Sequence, residues 1–175
     1  MKEREIIEAQ LGRVMRAPST AKTRCHLALP IVVDVPPVLE DGTPFPTRFW
    51  LTCPLAHRRI ARLEEAGGVR AWDARLREEP ELRAALDKAH AAYAKERDAL
   101  VPVDAVRGPT GGVAGITGDG VKCLHTHFAH HMAGGDNPVG ADVAARIGPL
   151  RCVVPCVAES NGAVARNVAW SEPEP

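Results

Sequence analysis

From Gly120 to Gly140 the chain reads GVKCLHTHFAHHMAGGDNPVG, with one cysteine and four histidines within the nine positions from Cys123 to His131. No other stretch constrains the fold as much. A glycine-rich run, RGPTGGVAGITGDG, leads into it and Gly134-Gly135 closes it, so any regular structure is confined to a few turns. If residues 121–133 are helical, each step turns about 100°, and Cys123, His127 and His130 fall at roughly 0°, 40° and −20° around the axis. His131 then lies on the flank of that face, and His125 points to the opposite side. A thiolate and two imidazoles on one face over two turns are a natural part of a tetrahedral zinc site, with the missing ligand supplied from elsewhere. A single histidine would read more simply as a hydrogen-bonded core residue; four within nine residues, with a cysteine in register with two of them, favour the metal. His125, facing away, is free to carry protons near neutral pH.

The remaining ligands are sought among the other cysteines. Five cysteines, an odd number, in a chain with a reducing-compartment character argue for ligands, redox thiols or core residues over disulfides. The amino terminus lacks the apolar core and small-residue cleavage site of a secretory signal, and no apolar run approaches a membrane span, so a soluble, cytoplasmic protein is expected. Lys plus Arg and Asp plus Glu balance at 22 each, which gives no support to a nucleic-acid footprint. Cys53, followed by Pro54, sits at the lip of an expected helix, where the helix dipole favours the thiolate; it and Cys25 are candidate partners for Cys123. His57 repeats the Cys-x3-His spacing after Cys53 and is a weaker candidate. Cys152 and Cys156 flank Pro155 and would project to one side of an extended segment, where they could bind metal or form a redox pair; burial in a carboxy-terminal strand is the simpler reading.

The expected fold is α+β, predominantly helical, in one domain with a small strand element. Ile7, Leu11, Val14 and Met15 have helical spacing over residues 2–16, ended by Pro18. Residues 31–33 and 47–52 form extended runs around an Asp41-Gly42 turn, the first an edge strand because prolines surround it. Helices follow from Pro54 to Gly67-Gly68, over 69–77, and from Pro80 through the stripe Leu82, Leu86, Ala89, Tyr93 and Leu100. Residues 108–120 are a loop, and Asn137 caps a helix bearing Val139, Val143 and Ile147 that stops at Gly148-Pro149. RCVVPCVAES adds a strand, and residues 170–175 are a loose tail. The glycine-rich loop has neither Walker spacing nor a dinucleotide fingerprint, and no Ser-His-Asp order or paired carboxylates stand out.

GTPFPTRFWLTCP (42–54), the RLEEAGG that follows and GVKCLHTHFAHHMAGGDNPVG (120–140) together resemble the uncharacterised bacterial family called domain of unknown function 501. The resemblance covers most of the chain. It implies that Arg24-Cys25 belongs with Cys53-Pro54 and Cys123, which raises a ligand set of Cys25, Cys53 and Cys123 with His127 or His130. Such a set would tie three distant segments together around zinc, as a structural or regulatory centre. A metal-dependent hydrolase with an open coordination position, an iron–sulfur protein, and an interaction module are the alternatives. The gene neighbourhoods typical of that family imply at most a loose association with cell division or polyphosphate.

Overall fold

The computed structural model describes residues 2–160 and 162–174. It is α+β and mainly helical. Helix α1 (Glu3–Leu11) is followed by strands β1 (Thr20–Arg24), β2 (Pro30–Asp34) and β3 (Phe49–Leu51) and by helices α2 (Pro54–Glu65), α3 (Gly68–Glu78) and α4 (Pro80–Asp98). A single 3-10 turn at Val113–Gly115 leads to α5 (Leu124–Met132), α6 (Pro138–Ile147) and the hairpin β4 (Val157–Ser160) and β5 (Ala163–Arg166). No helix among the described residues is long and apolar enough to cross a membrane.

Helix α1 is shorter than its apolar spacing predicts. Gly12 takes the left-handed conformation at φ 70° and its N–H returns to the Glu8 carbonyl, a terminator that only glycine accepts without strain. Met15 is nevertheless buried, packed in the loop against Val33 and Val35. The first sheet is antiparallel in the order β1-β2-β3, with Val32 opposite Leu51 and Val33 opposite Trp50. β2 is therefore the central strand and not an edge. Pro30 stands at its first position and Pro36-Pro37 lie beyond its end, so residues 31–34 keep their N–H groups for the ladders. β1, the polar run TAKTR, covers its outer side and was not expected from hydrophobicity.

The main core lies between this sheet and the helices. Leu55, Ala56 and Ile60 of α2, Trp72 of α3, Leu86 and Tyr93 of α4, and Val139 and Val143 of α6 share one core with Leu124, Phe128 and Ala129 of α5, which touches α2, α6 and β3. The histidine-bearing helix is thus the hub of the packing. Arg97 at the end of α4 is only 1% exposed. Its guanidinium donates to the Thr110 and Gly112 carbonyls and pairs with Asp98 at 2.8 Å, which fastens the glycine-rich loop to α4. Replacing it by methionine keeps most of the volume and removes those donors. We predict that Arg97→Met lowers unfolding free energy by about 3 kcal/mol in urea titrations, with amide exchange accelerated at residues 108–116 more than in α6. Unchanged exchange in that loop would refute the assignment.

Candidate metal centre

Lys122 has φ 63°, and the Cys123 N–H returns to the Val121 carbonyl at 2.7 Å, making a γ-turn just ahead of α5. Cys123 is left in extended conformation (φ −155°, ψ 127°) as the N-cap residue. The helical wheel consequently starts one residue too late to include it, and Cys123 does not share a face with His127 and His130.

Cys123 meets His125 and Glu64 instead. Glu64, in the last turn of α2, accepts the Leu124 N–H at 2.6 Å and so caps α5 from another element. Its Oε1 is also 3.2 Å from His125 Nδ1, and Cys123 Sγ is 3.6 Å from the same nitrogen. The ligand atoms of these three residues all lie within 4.8 Å of one another. His125 Nε2 is 3.3 Å from the His57 carbonyl. A carbonyl only accepts, so that nitrogen carries the proton, and in the neutral ring Nδ1 presents a lone pair. A lone pair, a carboxylate oxygen and a sulfur then converge, and only a shared cation, a proton or a metal ion, relieves their repulsion. Burial, with the charge of Glu64 adding to it, pushes the Cys123 thiol above its ordinary range, against the pull of the Thr126 and His125 amides. Without metal the thiol therefore keeps its proton. With zinc, the three donors are of the kinds the ion takes, and their number leaves one position open.

The His57 and His125 rings lie 5.0 Å apart, and both line a groove of about 180 Å³ with Trp50, Phe49 and Arg13. His57 donates through Nε2 to the Leu51 carbonyl at 2.9 Å, and burial holds its pKa low.

His127 and His130 sit elsewhere. His127 Nε2 bonds to the Val121 carbonyl at 3.0 Å, while Asn137 Nδ2 reaches Nδ1 of His127 at 3.0 Å and Nδ1 of His130 at 3.2 Å. Both amide hydrogens of Asn137 are thus given to imidazoles, and its Oδ1 accepts the Gly140 N–H at 2.9 Å as the cap of α6. Tyr93 and Phe49 pack on the His130 ring. His131 lies half-buried on the flank of α5, beside Gly140. His90 accepts the Val113 N–H at 3.0 Å, and its ring is 5.7 Å from that of His127.

Cys53 caps α2 at the end opposite Glu64, about 16 Å away along the axis at the α-helical rise. Cys53 therefore stays apart from Cys123; it and Cys25 lie in the neighbourhood of Cys152 and Cys156, and neither joins the Cys123 group. The thiolate expected at that helix terminus is overruled by solvation: burial pushes the Cys53 thiol up to about 11, despite the Ala56 and Leu55 amides. All five cysteines are free.

Glu64 was not among the residues singled out from sequence. The available signal was its position: an acidic residue in the last turn of a helix opposes the dipole, which calls for compensation from another element. The two histidine contacts of Asn137 left no sequence signal beyond its capping position.

Desolvation pushes His127 and His130 down to about 4, with neighbouring histidine charges adding to it. Unfolded, they titrate near 6.5, so the unfolded chain binds protons first. Their contribution is complete above about pH 6.5 and is lost as pH falls towards 4, by up to roughly 1.4 kcal/mol per pH unit for each ring. Asn137→Asp retains the acceptor for Gly140 N–H but turns carboxylate oxygens towards both imidazoles. It should be less stable than wild type at pH 8 by about 2 kcal/mol and should lose less than wild type between pH 6.5 and 5. Parallel pH profiles in urea would argue against this network.

A family model described as a protein of unknown function (DUF501) matches residues 21–145. No curated protein and no solved structure matches the chain.

Proposed function

The chain belongs to the DUF501 family, and for this member we propose a metal-binding function centred on Glu64, Cys123 and His125, with zinc as the ion. The observation that carries the reading is the convergence of three potential donors within 4.8 Å, with the proton on the far nitrogen of His125. Carboxylate, thiolate and imidazole are the three side-chain types that zinc takes, and three protein ligands leave one coordination position for water or a partner's ligand. The ion would join the carboxy-terminal end of α2 to the amino-terminal end of α5. Its removal would therefore loosen that junction, which gives the centre a regulatory potential. The five free thiols go with a reducing compartment such as the cytoplasm.

A hydrolytic reading rests on the groove. His57 stands beside His125 on a concave surface, and a zinc ion with an open position would supply a hydroxide near neutral pH. His57, held neutral by burial, is the base available there.

Metal analysis of reduced protein purified without chelators tests the first reading, together with Glu64→Gln, Cys123→Ser and His125→Ala. Each variant should lose about one equivalent of zinc and bind it at least tenfold more weakly, the order seen when a ligand or its support is removed. Zinc uptake should release the Cys123 proton, so that affinity rises with pH below the raised thiol pKa. Wild-type stoichiometry in all three variants would sink the proposal.

A further inference from the structure

The other four cysteines come together around the turn that joins β1 to β2. Cys25 begins that turn: its carbonyl accepts the Ala28 N–H and its N–H donates to the Leu29 carbonyl, both at 2.9 Å. Cys53 is anchored beside the next strand, with its N–H on the Ile31 carbonyl at 3.3 Å and the preceding Thr52 hydroxyl on the Pro30 carbonyl at 3.1 Å. Gln10 donates through one Nε2 to that same Pro30 carbonyl at 3.0 Å and to Cys156 Sγ at 3.5 Å. Cys156 is therefore a few ångströms from the backbone on which Cys25 and Cys53 are hung. His26 reaches the Cys152 carbonyl at 3.0 Å, which brings the fourth cysteine to the same turn.

The surroundings of these sulfurs are donors. The Trp170 indole N–H, which can only donate, is 3.3 Å from Cys152 Sγ. The Gln10 amide serves Cys156, and Cys53 lies at the amino terminus of α2. N–H donors directed at sulfur are the outer shell that a metal-bound thiolate takes. Gln10 is 3% exposed, and its Oε1 has no hydrogen-bond partner among the described residues.

We propose that Cys25, Cys53, Cys152 and Cys156 form a second, closed metal centre, four thiolates around one zinc ion, distinct from the Glu64–Cys123–His125 group. Four sulfur ligands in tetrahedral array select zinc or an iron–sulfur cluster. Cys53 and Cys156 are each 7% exposed in packed core, which favours a single ion over a multi-iron cluster. Among the described residues only Glu64, Cys123 and His125 have ligand atoms that all lie within 4.8 Å, so the four sulfurs are not preassembled and would have to draw together on the ion. Each thiol that joins gives its proton to solvent. Like charges there are otherwise opposed: a thiolate at Cys152 or Cys156 raises the Cys53 pKa, and one at Cys152 or Cys25 raises that of Cys156. The centre would clamp the β1–β2 turn, the start of α2 and the segment before β4. Two of its ligands, Cys152 and Cys156, lie beyond the residues that the family model matches.

The test uses the full chain, purified anaerobically with reductant and without chelator. Zinc and iron are counted by mass spectrometry in wild type, Cys152→Ser, Cys156→Ser and Cys123→Ser. Cys152 is half-buried in a loop, so its serine variant should fold, which circular dichroism checks. The expected result is about two zinc ions in wild type and about one in each variant. Cobalt substitution should give stronger sulfur-to-metal charge-transfer absorption in Cys123→Ser, where only the four-thiolate centre remains, than in Cys152→Ser, where only the single thiolate of Cys123 binds. Maleimide labelling of the zinc-loaded wild type should spare the half-buried Cys25 and Cys152 together and label both after chelation. Zinc content unaltered by Cys152→Ser and Cys156→Ser, a Cys152–Cys156 disulfide in the reduced preparation, or visible absorbance with iron would each overturn the proposal. One zinc ion lost in Cys152→Ser but none in Cys123→Ser would instead uphold this centre and remove the one at Glu64.

Discussion

Helix α5 occupies the middle of the core while carrying four imidazoles, and the packing depends on keeping the two enclosed ones, His127 and His130, partnered and uncharged. A single amide accomplishes this for both. Asn137 spends both its hydrogens on His127 and His130 and its oxygen on the first turn of α6. A Cβ on Gly140 would lie 2.3 Å from the His127 carbonyl and 2.5 Å from the His131 Cβ, so α6 rests directly against α5. That close approach lets Val139 and Val143 reach full burial beside Phe128. Polar satisfaction and apolar packing are the same arrangement here, and an unpaired imidazole at this depth would cost more than the cap itself contributes.

Helix α2 links the two cysteine neighbourhoods and presents opposite electrostatic ends to them. Cys53 stands at its amino terminus, where negative charge is favoured, yet enclosure keeps the thiol protonated. Glu64 stands at its carboxy terminus, where negative charge is disfavoured, and is compensated by the Leu124 N–H at the positive end of α5. One helix terminus offsets the other. That balance accommodates the carboxylate; a thiolate at Cys123 adds a second negative charge that the helix end cannot also neutralise, which is why a cation suits the position.

Elements whose signals are local were legible in the sequence. Pro54, Pro80 and Pro138 open helices where proline at the first turn predicts them, and Asn137 caps α6 as expected. The antiparallel pairing of residues 32–34 with 49–51 around the Asp41-Gly42 turn is also present. What escaped was set by partners far along the chain. The β1 sequence TAKTR has no apolar face, since it covers β2 with backbone hydrogen bonds and leaves its side chains largely outward. The wheel over 121–133 failed at Cys123 because Lys122 adopts a positive φ, which no propensity scale assigns to lysine. Glu64 is separated from His125 by 60 residues of chain, and only the fold brings them together. The tail contains Glu172, whose carboxylate pairs with Arg62 and approaches Arg59 at 3.5 Å, a tether that depends on the α2 surface.

The two proposed centres differ in what their coordination would permit. Four sulfurs leave an ion no free position, so the centre near Pro30 would act on shape alone, holding the β1–β2 turn and the segment before β4 to the start of α2. Three donors of three kinds would leave an ion bound at Glu64 open to an outside ligand. The path between them is short and stiff: β3 ends at Leu51, whose carbonyl fixes the His57 ring, and Cys53 begins the helix that carries both His57 and Glu64. Fixing Cys53 would therefore fix the orientation of the helix that lines the open centre. A closed site that set the register of α2 and an open site that used its far end would divide the work, the first having to be rigid for the second to keep its geometry.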